Sequence, residues 1–238
     1  MEVSRSAKVL RLLGEAVVIG AGVLAALFAD DWRENRSERL AALAGLEIVA
    51  VDLRADSAEF ERFRQQAQRL ATTSAWLLSV WDDPSPPQDS LEVALYQYST
   101  GSPFQVNRAG FEGLRDTNRL HLIQDDSIRA GVLRYYQERH GDLEGRRGLF
   151  DPRRDRLVYE VLPNHVIDLE GGDPGTVWPP KEDRVRLRHP WSVATEDPYL
   201  RTDIVWLGRF MDNFTGHLER AEQVASALAA AIDREIGR

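Results

Sequence analysis

Residues 197–232, DPYLRTDIVWLGRFMDNFTGHLERAEQVASALAAAI, decide the fold of the chain, because one apolar stripe runs through nearly the whole stretch. Apolar residues recur at alternating spacings of four and three, the heptad spacing of a helix that packs lengthwise on another helix. They are Leu200, Ile204, Leu207, Met211, Phe214, Leu218, Ala221, Ala225, Leu228 and Ile232. Asp197 is the expected cap, and Pro198 fits the first turn.

Outside this stretch, a second long amphipathic helix is predicted over residues 32–81, which contain no proline and a single glycine. Polar residues interrupt its apolar stripe at Ser57, Arg64 and Ser74. The stripe consists of Leu43, Leu46, Ala50, Leu53, Phe60, Ala67, Leu70, Leu78 and Trp81. With two long stripes available, packing inside one helical bundle is favoured over an intermolecular coiled coil, which also fits the heptad spacing.

Shorter helices are predicted between the two long ones, at residues 91–98, at residues 108–115, and from a cap at Asp125 or Asp126 through Leu143. Asp151-Pro152 is expected to interrupt the last of these, since proline cannot donate its backbone N–H to the helix. Residues 164–196 are rich in glycine and proline and form an irregular excursion, with a short strand predicted at residues 184–188. The predicted fold class is all-α, a helical bundle with one irregular loop or short-strand excursion.

The N-terminal region predicts a transmembrane helix. Residues 16–29, AVVIGAGVLAALFA, contain no polar side chain, and extension back to Val9 gives 21 residues. Such a helix is about 31 Å long, which matches the hydrocarbon thickness of a bilayer. A cleaved signal peptide and a buried helix of a soluble fold are the alternatives. Leu27-Phe28-Ala29 is a poor cleavage site, which favours a retained anchor.

Residues at both ends of the span suit a membrane interface: Arg11 on the near side, and Trp32 and Arg33 on the far side. We therefore divide the chain into a tail with a transmembrane helix at 1–29 and a helical extramembrane domain at 30–238. Arginines and lysines are balanced across the span, so the positive-inside count gives no decision. We expect the N-terminus in the cytoplasm and the domain in the periplasm, with the anchor in the inner membrane.

Two sets of residues are candidate contact sites. In the span, Gly22 and Ala26 form a small-xxx-small pair, reinforced by Ala21 and Ala25, and such a face lets another helix approach closely. In the domain, a candidate partner surface comprises Arg146, Arg147, Arg153, Arg154, Arg156, Trp178 and Trp191. The alternative for the arginines is a solvated face whose charges pair among themselves.

Composition and motifs argue against several function classes. The chain has no cysteine, which rules out disulfides, thiolate metal sites and cysteine nucleophiles. Its net charge of −8 argues against broad nucleic-acid binding. The five histidines lack a zinc-binding helical spacing, and the glycine-rich residues 171–175 lack the Lys-Ser/Thr of a phosphate loop. We therefore predict no catalytic, cofactor-binding or metal-ligating residue.

Residues 14–63 resemble a family of uncharacterised bacterial single-span membrane proteins, a domain-of-unknown-function family. The resemblance lies in an apolar helix followed by ADDWRENR at residues 29–36 and LRAD at residues 53–56. FEGLR at residues 111–115 is similar to a second family block, which extends through residues 120–123 and 128–136, although Thr117-Asn118 stands where the family has Ser-Gly. The resemblance implies the anchor and the helical domain, and it brings no activity.

These features predict a non-enzymatic interaction or accessory subunit. Its helical domain would dock against a larger membrane complex or against its own copies, and its partners would be membrane lipid and other membrane subunits. Two alternatives are an extracytoplasmic ligand-sensing bundle and an enzyme.

Overall fold

The computed structural model describes the backbone of residues 3–99, 106–168 and 185–237, and the side chains of these residues from Gly20 onward, except those of Ile167 and Asp168. The elements, in chain order, are α1 Val3–Ser79, α2 Gln88–Ser99, α3 Ala109–Asp116, α4 Asp126–Arg134, α5 His140–Arg156, α6 Leu162–His165, β1 Val166–Asp168, β2 Val185–Leu187, α7 Trp191–Ala194 and α8 Pro198–Ile236. A 3-10 turn at Leu120–Leu122 precedes α4, and π-helical turns at Tyr135–Arg139 and Leu157–Val161 join α4, α5 and α6.

The frame of the fold is the antiparallel pair α1 and α8, which lie along each other and bury most of the apolar core. The direction follows from contacts at three levels: Arg54 with Asp233, Phe63 with Phe214, and Ser74 with Gly208. The side chain of Ser74 lies so close to Gly208 that no Cβ fits there. Close packing of this kind explains a glycine in the middle of an otherwise regular helix.

The α8 stripe is confirmed, because all ten of its residues are buried. Asp197 is confirmed as the cap, since its side chain accepts hydrogen bonds from the backbone N–H groups of Tyr199 and Leu200. The α1 stripe is confirmed in outline, although its register is partly different. The predicted Leu43 and Leu78 are only half-buried. Apart from the predicted Ala50, the buried residues lie at alternating spacings of four and three: Ala42, Leu46, Val49, Leu53, Asp56, Phe60, Phe63, Ala67, Leu70, Ser74, Leu77 and Trp81.

The shorter helices occur where the sequence predicts them, with one exception. Asp125 caps α4 by accepting from the N–H groups of Ser127 and Ile128. The predicted interruption at Pro152 is wrong, since α5 runs through it to Arg156. Phe150 before the proline and Leu157 after it are both buried when the helix continues. The free energy gained by burying them offsets the loss of the backbone hydrogen bond that Pro152 cannot donate.

The excursion contains a short antiparallel hairpin, in which Val166 pairs with Leu187 and Asp168 with Val185. This confirms the strand predicted at residues 184–188. Residues 169–184, and with them Trp178, lie outside the described residues. An all-α bundle with a two-stranded hairpin is therefore the fold of the described chain.

The predicted membrane span falls largely on residues whose side chains are outside the description, since these begin at Gly20. Arg11 is among the residues whose side chains are not described. Within the part of the chain that is described, no helix is long and apolar enough to cross a membrane. The backbone of α1 is one continuous helix from Val3 to Ser79.

Candidate membrane and partner interfaces

The first candidate interface is residues 20–40 of α1, here called the stalk, in which every side chain is exposed. At 1.5 Å per residue the stalk is about 30 Å long. Its first ten residues, GAGVLAALFA, are all apolar, and they leave Val23, Leu24, Leu27 and Phe28 between 55% and 72% exposed. The described remainder of the chain therefore provides no cover for the most apolar part of α1.

The small residues predicted to contact another helix lie in the apolar part of the stalk. Ala21, Gly22, Ala25 and Ala26 are all exposed. A Cβ built at Gly22 meets no atom of the described chain within 4 Å. This face is therefore accessible to a second helix.

The polar end of the stalk begins at Asp30, and its Trp32 and Arg33 are both exposed. The Arg36 guanidinium extends back one turn and lies 5.6 Å from the centre of the Trp32 ring, a cation–π contact. Next to these residues, α1 and the 3-10 turn border an open cleft of about 530 Å³. The cleft is lined by Trp32, Asn35, Arg36, Arg39, Leu40, Leu43, Leu122 and Gln124.

The second candidate interface is the arginine-rich α5, where each predicted arginine has an acidic partner. Arg146 pairs with Asp142, Arg147 with Asp151, and Arg154 with Asp155. The first two pairs are four residues apart on one helix, a spacing at which opposite charges meet. The pKa of Asp142 is lowered: partial burial would raise it, and the hydrogen bond and charge of Arg146 outweigh that effect.

The remaining two arginines converge on one buried carboxylate. Asp203 is fully buried on α8, and it accepts hydrogen bonds from Arg153 at 3.1 Å and from Arg156 at 2.9 Å. Both arginines also lie over aromatic rings, Arg153 over Trp206 and Arg156 over Tyr199. This network fastens α5 to α8, which gives these arginines a structural role.

Around this network lies a mixed aromatic and basic surface, here called the distal face, formed by Arg153, Tyr199, Trp206 and Phe210. Leu149 belongs to it by helical spacing, since it lies four residues before Arg153 on the same side of α5. Trp206 stacks on Phe210 at 5.1 Å between ring centres. Leu149 and Tyr199 are 64% and 61% exposed. The distal face thus combines exposed apolar groups with cations that are already held in place.

Trp191, predicted for the partner surface, is a core residue in the described structure. It is 4% exposed, packs edge-on against Trp81, and donates a hydrogen bond from its indole N–H to the carbonyl of Val80. We therefore leave Trp191 out of the distal face.

The structure contains a buried polar cluster that the sequence pattern does not predict. Asp56 of α1 is fully buried, and its carboxylate accepts from the backbone and side-chain N–H groups of Asn107 and from the Tyr135 hydroxyl at 2.8 Å. Its neighbour Asp52 accepts from the N–H of Gly110 at 2.8 Å. The sequence signal for Asp56 is its position, since it occupies the place of an apolar residue in the α1 stripe.

Burial dominates the protonation of this cluster. It raises the pKa of Asp56 above the ordinary value, although hydrogen bonds from Asn107 and Tyr135 oppose the increase. It also raises the pKa values of Tyr135 and Tyr136, and the Asp56 charge adds to both effects. Within the described chain, the buried Tyr136 hydroxyl and the buried Nε of Arg108 have no hydrogen-bond partner.

A histidine pair lies beside the hairpin. The Nε2 of His165 is 2.9 Å from Asp197, and its Nδ1 is 3.4 Å from the Nε2 of His189. Asp197 also caps α8, so this network ties the end of α6 to the start of α8. Among the described residues, no three histidine, aspartate or glutamate side chains are grouped to hold a metal ion.

Comparison of the chain with models of protein families, with curated proteins and with solved structures found no match. The family resemblance of residues 14–63 therefore stays a prediction. Function must be argued from the exposed stalk, the distal face and the buried cluster themselves.

Proposed function

We propose that this protein is a membrane-anchored, non-enzymatic docking subunit. Its N-terminal helix spans the inner membrane once, and its bundle stands in the periplasm and presents the distal face to a partner protein. The observation that carries the proposal is the stalk, whose apolar first half is exposed on every side.

The cost of exposing these side chains in water supports an anchor. Full burial of a leucine, valine or phenylalanine side chain contributes about 1.5–3 kcal/mol, so four such residues favour a covered state strongly. Residues 9–29 provide a length that suits lipid as the cover. Trp32 then follows at the depth where tryptophan is enriched in membrane proteins.

The small-residue face supports a helix partner inside the membrane. Gly22 and Ala26 are four residues apart, and Ala21 and Ala25 widen the same side. Because helices in lipid associate mainly by close packing, such a face favours a second span, from another subunit or from a copy of this chain.

The position of the distal face favours a protein partner for the domain. Trp206 is near the level of Ser74, because Gly208 contacts Ser74 in the antiparallel pair. Ser74 lies 45 residues after Ala29, or about 68 Å along the helix, which is far beyond the headgroup layer. The exposed aromatic and apolar groups there resemble the residue types that anchor protein interfaces.

The anchor is tested by washing native membranes with alkaline carbonate. We expect the full chain to stay in the pellet, because about 20 apolar residues hold it in the bilayer. Release into the supernatant would contradict the anchor.

The docking role is tested by mild-detergent extraction from native membranes and identification of chains that co-purify in fixed proportion. Leu149→Ser on the distal face should reduce this recovery, and Val93→Ser on α2, which removes a similarly exposed residue, should not. Equal recovery with both variants would contradict the assignment of the distal face.

A second candidate function, ligand sensing, is favoured by one observation. The Tyr136 hydroxyl, which has no hydrogen-bond partner, lies near Asp56 and Arg108, as their electrostatic influence on its pKa indicates. The Nε of Arg108 also lacks a hydrogen bond, although it forms a 3.5 Å ion pair with Glu112. A small polar ligand that satisfied these groups would raise the melting temperature of the protein with no partner present. A reproducible shift of this kind, together with no co-purifying chain, would replace the docking proposal.

A further inference from the structure

The stalk separates its charges onto two sides just after the predicted span. Asp30, Glu34 and Glu38 recur every four residues on one side of α1. Trp32, Arg36, Arg39 and Leu43 lie about half a turn away, on the side that borders the cleft. The cleft side is therefore basic and aromatic, although the stalk as a whole is nearly neutral.

Among the residues that the structure describes, Arg36 and Arg39 have no acidic partner. No aspartate or glutamate lies three or four residues from either arginine, and in the described chain neither takes part in an ion pair. The acids nearest the far wall of the cleft are already engaged, since Asp125 caps α4 and Asp126 pairs with Arg129. Two guanidinium groups without an acidic partner consequently line the cleft.

Helix geometry directs these two side chains toward the membrane. The Cα–Cβ bonds of an α-helix tilt toward its N-terminus, so side chains cover the turn before their own residue. The contact of Arg36 with Trp32 follows this direction. Counted from Ala29, Arg36 lies about 10 Å and Arg39 about 15 Å along the helix, and headgroups occupy roughly the first 5–8 Å outside the hydrocarbon. The Arg36 guanidinium can thus reach the lipid phosphates, and the Arg39 guanidinium comes close to the outer edge of the headgroup layer.

We propose that the cleft formed by Trp32, Arg36, Arg39 and the Leu122–Gln124 wall binds the phosphate of an anionic phospholipid headgroup. A guanidinium matches a phosphate with two parallel N–H donors, and Trp32, the cleft residue nearest the hydrocarbon, provides apolar contact for the glycerol. This inference rests on the proposed anchor, since only an anchored stalk presents the cleft to the headgroups.

The test uses the purified full chain in micelles that contain equal amounts of phosphatidylglycerol and phosphatidylcholine. Mass spectrometry of the intact protein gives the ratio of the two lipids bound. An arginine near an anionic lipid surface contributes about a fivefold preference, so Arg36→Gln and Arg39→Gln should each lower the ratio by about that factor. Arg69→Gln is the matched control, an exposed arginine on α1 about 50 Å farther from the membrane.

The outcomes separate this proposal from the anchor. A preference for phosphatidylglycerol that drops in both cleft variants and stays in the control supports the cleft. If wild-type protein floats with vesicles of pure phosphatidylcholine and all variants keep the same lipid ratio, the anchor stands and the cleft proposal is wrong. If the wild-type protein does not float with the vesicles at all, the anchor proposal and the cleft proposal are both wrong. Displacement of the bound phosphatidylglycerol by soluble glycerol phosphate would also contradict the headgroup proposal, because free phosphate would then be the ligand.

Discussion

The two halves of α1 use the same secondary structure for different purposes. From Ala42 to Trp81, most buried residues recur at spacings of four and three, and the exposed positions are mainly polar, with Ile48 and Val51 as the large apolar exceptions. In the stalk, the apolar residues surround the helix and none is buried. A helix that packs in a bundle therefore has its apolar side chains on one side. A helix with apolar side chains on every side needs lipid or another protein around it.

The largest effect that separates the two halves should come from removing a phenylalanine in each. Phe60→Ala leaves a cavity between α1 and its neighbours and should lower the free energy of unfolding by about 3–5 kcal/mol. Phe28→Ala should change it by less than about 0.5 kcal/mol, because that ring contacts no core. Denaturant unfolding of the full chain in mild detergent gives both values, and equal losses would contradict the division of α1.

Arginines in the bundle and in the stalk should also differ in their effect on stability. Arg153→Gln combined with Arg156→Gln leaves the buried Asp203 without a cation and should cost about 3 kcal/mol of unfolding free energy. This is the low end for a buried pair, since both arginines are about one-third exposed. Arg36→Gln combined with Arg39→Gln removes the same charge from the stalk and should cost less than about 0.5 kcal/mol. A large loss in the stalk variant would show that these arginines stabilise the bundle.

Glycines on the two helices should respond in opposite ways. Gly208→Ala places a Cβ against Ser74 and should destabilise the bundle by about 1–3 kcal/mol, because α1 and α8 must move apart. Gly22→Ala meets open space and should leave the unfolding of the bundle unchanged. Melting curves of both variants, followed by circular dichroism, check this, and an unchanged curve for Gly208→Ala would mean that the helices are less closely packed than described.

The smallest expected effect is a pH dependence from Asp56. Burial raises its pKa in the folded protein, so the folded state binds this proton more tightly than the unfolded chain does. The stabilisation is complete below the ordinary aspartate pKa and is lost as the pH rises through the raised value. The loss is moderated by the hydrogen bonds from Asn107 and Tyr135, which favour the ionised form.

Asp56→Asn should remove this part of the pH dependence, because asparagine does not titrate. The measurement is the unfolding free energy of wild type and variant at a series of pH values, beginning at the ordinary aspartate pKa and increasing. The difference between the two proteins at each pH is the quantity compared. Asp212→Asn, on the exposed side of α8, is the control. A difference that stays constant with pH would show that Asp56 does not titrate in this window.

Local patterns made most of the fold predictable. The α8 stripe and the caps at Asp125 and Asp197 depend on residues within a few positions of one another, and the structure has all of them. The ion pairs of Arg146 and Arg147 have the same local origin. Such features require no knowledge of distant contacts.

The register of α1 could not be predicted in full, because two polar residues stand in its buried stripe. Asp56 is satisfied by Tyr135, 79 residues away, and Ser74 by the hydroxyl of Tyr98, 24 residues away. Without these partners, a buried carboxylate or hydroxyl would be costly, so the sequence alone favours apolar neighbours for the stripe. The network at Asp203 has the same cause, because its arginines lie 47 and 50 residues earlier in the chain.

The central claim is that the apolar half of the stalk lies in a membrane, and single-cysteine labelling tests it most directly. The chain has no cysteine, so Leu24→Cys, Phe28→Cys, Leu40→Cys and Ala44→Cys each introduce a unique thiol at an exposed position. Opened native membranes are treated with a membrane-impermeant maleimide, which makes the result independent of orientation. We expect the thiols at 40 and 44 to react at once, and those at 24 and 28 to react only after detergent is added. Equal labelling of all four in untreated membranes would contradict the claim.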